Sequence, residues 1–127
     1  MVYILVIMVW EGIDKRKFPR IRYRCLIRVS RNGQEEVTET FTENIGLGGI
    51  SVVLKESFGL FEAVSLEIFI DGSVVKCDGT IVWVVKKHPM KEEEIVMYDT
   101  GIEFHNMDAE GKTNITRLVE DILKSDT

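Results

Sequence analysis

Between residues 20 and 104 the chain is a succession of short apolar or alternating runs, with turn residues about every ten positions. A chain punctuated in this way folds as an all-β barrel or sandwich. The first run is the clearest. Ile21, Tyr23, Cys25, Ile27 and Val29 alternate with Arg20, Arg22, Arg24 and Arg28, so residues 20–29 read as one half-buried strand with its arginines on an outer face. Asn32-Gly33 marks a hairpin turn, and residues 35–43 form the returning strand. The glycine-rich corner "NIGLGG" (44–49) leads into the apolar strand "GISVVL". Two strands, 64–70 and 74–87, flank a turn at Asp71-Gly72. A charged loop broken by Pro89 then precedes a last strand over 95–104.

The period then changes. Ile115, Leu118, Val119, Ile122 and Leu123 share one helical stripe. Asp108 is placed to cap the helix and Lys124 suits its last turn. This predicts a helix over about 108–124 that packs across the barrel and closes its open end.

At 127 residues the chain fits one domain with a real core. Residues 1–13 read as an apolar extension and 14–127 as the domain. "MVYILVIMVW" lacks the basic region of a secretory signal and is too short to span a bilayer as a helix. Its Val, Ile and Tyr favour a buried or partner-paired strand, which at an edge would promote a homodimer. The alternative is that translation starts at Met8. Cys25 and Cys77 have no histidine at metal-ligand spacing, so they read as buried free thiols in a reducing cytoplasm.

Charge is distributed unevenly. Eight of the sixteen Lys and Arg fall within residues 15–31, where no acid interrupts them. That segment carries +8, while the remainder, eight cations against twenty-one acids, carries −13. Catalytic machinery is not evident. His88 and His105 have no neighbouring nucleophile, Glu92–Glu94 form a solvated run, and "GLGG" opens no helix as a phosphate loop would. The arginines suit binding better, because a guanidinium fork grips a phosphate or the O6/N7 edge of guanine. Arg16 and Arg20 bracket Pro19, which keeps "RKFPR" extended where it enters the first strand. Gly46, Gly48 and Gly49 permit positive φ and close backbone approach, so amides of the corner can face an anion. Asn44 can both donate and accept.

Together these two segments resemble the PilZ domain, a family of receptors for the bacterial second messenger cyclic di-GMP. Arg16-Lys17-Phe18-Pro19-Arg20 matches the family's R-x-x-x-R element in full. Asn44-Ile45-Gly46-Leu47-Gly48-Gly49 matches its [D/N]-x-S-x-x-G element at Asn44 and Gly49, with Gly46 where the family has serine. "DGTIVWV" (78–84), "TGIEF" (100–104) and the amphipathic helix extend the likeness over roughly residues 14–124.

The resemblance implies a six-stranded antiparallel split barrel closed by one C-terminal helix. It also implies a non-enzymatic receptor with cyclic di-GMP as ligand and neither cofactor nor metal. Arg16 and Arg20 would clasp guanine and phosphate, Lys15 would touch the ligand, and Asn44, Gly46, Gly48 and Gly49 would floor the site. Arg22, Arg24 and Arg28 would supply a supporting positive field. Losing the serine hydroxyl at position 46 would weaken binding by up to about tenfold without abolishing it. Output would be a conformational change shown to an unidentified effector protein, in the motility and biofilm signalling typical of the family. The alternative is a ligand-independent adaptor of pilus or motility machinery, favoured by Gly46 and the apolar N-terminus. An FMN-binding barrel is a third reading, which a yellow colour on purification would reveal. Net acidity and the few aromatics among the basic residues speak against DNA or RNA as partner, and no stable membrane insertion is expected.

Overall fold

The computed structural model describes residues 20–32, 34–87 and 95–125. The expected N-terminal strand of 1–13, the clamp residues Lys15 and Arg16, and the charged loop of 88–94 lie outside the described residues. The described chain runs β1 (Arg20–Arg22), β2 (Leu26–Arg31), β3 (Val37–Gly46), β4 (Gly49–Leu54), β5 (Ala63–Ile70), β6 (Ser73–Lys87), β7 (Met97–His105) and α1 (Ala109–Ser125). Six strands close in the order β2-β5-β6-β7-β4-β3, with β3 returning to β2 and every pairing antiparallel. This is the expected six-stranded barrel with its C-terminal helix, and β1 is one strand more, lying along the end of β3.

Local chemistry accounts for most of the boundaries. Asp71 and Gly72 both take positive φ, 47° and 79°, the pairing of a type I′ turn whose twist matches the strands it joins. Alternate residues of each strand fill the barrel: Ile27, Ile50, Leu66, Ile68, Ile81 and Ile102 are all buried. The α1 N-terminus is capped by Asp108, whose Oδ1 accepts the Gly111 N–H at 2.7 Å. Ile115, Leu118 and Val119 then insert into the barrel end, with Ile122 and Leu123 packed against it. Cys25 and Cys77 are free and buried. Burial, with a smaller contribution from Asp78, pushes the Cys77 thiol up to about 12.

The single strand expected over 20–29 is in fact two. After Arg22 the chain leaves regular pairing through Tyr23–Cys25 and resumes at Leu26. Arg22 stands opposite Asn44 and Leu26 opposite Phe41, so residues 23–25 face only residues 42 and 43. That is a β-bulge, one extra residue on the first strand. Its partner is irregular too, for the β3–β4 register shifts between Thr42 and Asn44.

Candidate ligand-binding site

Past the bulge, Arg20 parts company with the other arginines. Alternation puts it on the outer face beside Arg22, Arg24 and Arg28, and those three are indeed exposed. Arg20 instead is only 6% exposed. Its cross-strand partner is Gly46, which has no side chain to compete for the space. Its Nη1 faces Asn44 Oδ1 at 3.5 Å. Asn44 is half-buried, flanked by Arg22 of β1 and Ser51 of β4.

Gly49 completes the corner. A Cβ there would collide with the Ile102 carbonyl oxygen and stand 2.8 Å from Arg20 Nη2. Gly48 is tied to β7 as well, its carbonyl accepting the Phe104 N–H at 2.9 Å. The expectation of positive φ at Gly46, Gly48 and Gly49 is corrected: among the described glycines only Gly72 adopts it. Close approach, by β7 on one side and Arg20 on the other, is what Gly49 provides.

Of the expected site residues, Arg20, Asn44, Gly46, Gly48 and Gly49 thus meet at one corner, while Arg16 and Lys15 lie outside the described residues. The supporting field is less simple than charge counting implied. Arg28 lies across from Glu39 on one side and Glu67 on the other, and its Nε donates to Glu39 at 3.0 Å. Arg31 donates to Glu62 at 2.5 Å and Glu56 at 3.3 Å and stacks over Phe58. Arg24 lies over the Phe41 ring, 4.2 Å from its centroid. Near the corner, burial and then the neighbouring Asp99 raise the Glu43 carboxyl above its ordinary range, opposed by Lys87 and Arg22.

Chemically, the corner offers a planar guanidinium beside an amide that donates and accepts. The 3.5 Å Arg20–Asn44 separation is longer than an ordinary N–H···O bond, and a guanidinium makes stronger, charge-assisted bonds to a phosphate. Among the described residues there is no group of three or more His, Cys, Asp or Glu able to hold a metal. No described helix is long and apolar enough to cross a membrane. Sequence reasoning missed Thr42, whose buried side chain bonds Tyr23 and Cys25 in the segment between β1 and β2. Threonine is so common in strands that nothing marked it.

The topology is that of a six-stranded antiparallel barrel with arginine, asparagine and glycines gathered at its β3–β4 corner. The model of the PilZ domain family matches residues 14–121, and the chain belongs to that family, whose members are cyclic di-GMP receptors and not enzymes. No curated protein matches it. Among solved structures, the inhibitor of motility MotI/DgrA of Bacillus subtilis is similar at 20% identity and TM-score 0.68, covering 87% of this chain and 52% of that one. The PilZ domain of Escherichia coli YcgR, solved with c-di-GMP, is similar at 11% identity and TM-score 0.69, covering 87% and 93%. MrkH of K. pneumonia, also solved with c-di-GMP, is similar at 14% identity and TM-score 0.67, covering 87% and 53%. This chain therefore spans about half the length of MotI/DgrA and MrkH, and these likenesses describe the fold.

Proposed function

We propose that this protein is a receptor for cyclic di-GMP. Arg16 and Arg20 clasp guanine and phosphate, Lys15 reaches the ligand, and Asn44, Gly46, Gly48 and Gly49 form the floor. The observation that carries this reading is Arg20, which is buried between Asn44 and Gly49 while Arg22, Arg24 and Arg28 are exposed. Binding reshapes the surface presented to an effector protein, in the cytoplasm where two unpaired cysteines persist. MotI/DgrA, an inhibitor of motility by its own description, makes motility machinery a reasonable place to seek that effector. Calorimetry of the full chain with cyclic di-GMP tests the receptor directly. Saturable heat that disappears in Arg16→Ala and Arg20→Ala is expected. Silence at high micromolar ligand, or heat indifferent to both substitutions, overturns it.

Gly46 favours a second reading, a ligand-independent adaptor, because it places no hydroxyl opposite Arg20. Under that reading, capture of the effector is the same with and without nucleotide.

A further inference from the structure

The bulge between β1 and β2 interrupts the ladder where it is buried, and one hydroxyl bridges the interruption. Thr42 is 2% exposed. Its Oγ1 accepts the Cys25 N–H at 3.0 Å and donates to the Tyr23 carbonyl at 2.6 Å. Its main chain takes part as well, the Thr42 N–H donating to the Cys25 carbonyl at 2.9 Å. One step further on, the Tyr23 N–H donates to the Glu43 carbonyl at 3.2 Å. A bulge leaves main-chain groups out of register with the facing strand, and buried groups of that kind need other partners. Thr42 supplies them to two residues at once.

Register is what matters downstream. The bulge adds one residue between Leu26, opposite Phe41, and Arg22, opposite Asn44. That offset sets Arg20 across from Gly46, within reach of Asn44 and Gly49. Without it, a one-residue slip takes Arg20 away from Gly46 and turns Ile21, now fully buried, out of the core. We infer that Thr42 is a positioning residue for the ligand site: its hydroxyl fixes the β1 bulge and thereby seats Arg20 at the glycine corner. The ligand part of this inference rests on the receptor reading above; the seating of β1 does not.

The test compares Thr42→Val, which fills the space without a hydroxyl, with Thr42→Ser, which keeps it. Two measurements are made on the full chain: affinity for cyclic di-GMP by calorimetry, and hydrogen exchange of the Tyr23 amide without ligand. Thr42→Val is expected to weaken binding and to speed Tyr23 exchange, each by about tenfold or more, because both hydrogen bonds of the hydroxyl are lost. Thr42→Ser stays within about threefold of wild type on both, since the bonding group is retained. Ile68→Val, a core change on β5 away from the corner, lowers the melting temperature without altering affinity or Tyr23 exchange. Should Thr42→Val not fold, Thr42→Cys keeps only a weaker donor and acceptor and shows losses larger than those of Thr42→Ser, and equal values for the two overturn the inference. A Thr42→Val protein with a protected Tyr23 amide overturns the inference, as does an affinity loss reproduced by Ile68→Val. If wild type itself takes up no cyclic di-GMP, the receptor reading fails while the exchange measurement still decides the role of Thr42.

Discussion

Arg20 and Arg28 belong to one basic run, eight residues apart by numbering, and end in opposite circumstances. Arg28 on β2 has an acid across from it on each side, Glu39 and Glu67, and spends its charge on the sheet's outer face. Arg20 on β1 has Gly46 across from it and lies buried against Asn44 and Gly49. The residue type is the same, so the difference comes from what the neighbouring strand presents. An arginine opposite acids is part of the scaffold. One opposite glycine and beside an amide is instead packed into the motif corner.

The sharpest way to break this contrast is to truncate both side chains. Arg20→Ala is expected to weaken cyclic di-GMP binding by about a hundredfold, the loss of two charge-assisted hydrogen bonds. Arg28→Ala leaves affinity within about threefold and costs under about 1 kcal/mol of stability, as exposed ion pairs do. Calorimetry and urea melts of the two variants measure this, and equal effects on binding would erase the distinction.

Next in size is Gly49→Ala. Its Cβ meets the Ile102 carbonyl and Arg20 Nη2, so overpacking should lower stability by about 1–3 kcal/mol and weaken binding together. An unchanged melting temperature would show that the corner is looser than described. Gly46→Ser has the opposite sign. It places a hydroxyl across from Arg20 and is expected to tighten binding by up to about tenfold, read by calorimetry. No gain would mean that the missing serine is not what limits affinity.

The smallest effect concerns Glu43. Its folded carboxyl binds a proton more tightly than the ordinary value of 4.5, chiefly through burial and then through Asp99. Ionising it therefore costs stability: the cost is absent well below 4.5 and fully present once pH has risen through the raised folded value. Glu43→Gln should raise the melting temperature slightly at pH 7 and bring no gain at pH 4. A lower melting temperature at pH 7 would contradict this.

Much of this was legible in the sequence. "GISVVL" coincides with β4, Asp71-Gly72 is the turn between β5 and β6, and Asp108 caps α1 where its spacing from the apolar stripe required. These features are local: alternation, turn chemistry and capping are set by residues a few positions apart. The burial of Arg20 was not legible, because alternation puts it on the outer face and its cover comes from Gly46, Asn44 and Gly49 on other strands. Nor was the role of Gly49, which is set by the approach of Ile102 from another strand. The motif residues could be named from their spacing, but their arrangement rests on contacts distant in sequence.

The central claim is that the anion site lies at Arg20 and not on the arginine face of β2. Titration with cyclic di-GMP followed by nuclear magnetic resonance tests it most directly. The account predicts that the Arg20 guanidinium, the Asn44 side-chain amide and the Gly49 backbone amide shift and saturate together, while the Arg28 guanidinium stays at its ligand-free position. Shifts concentrated at Arg28 and Glu39, or none at Arg20 under saturating ligand, would contradict it.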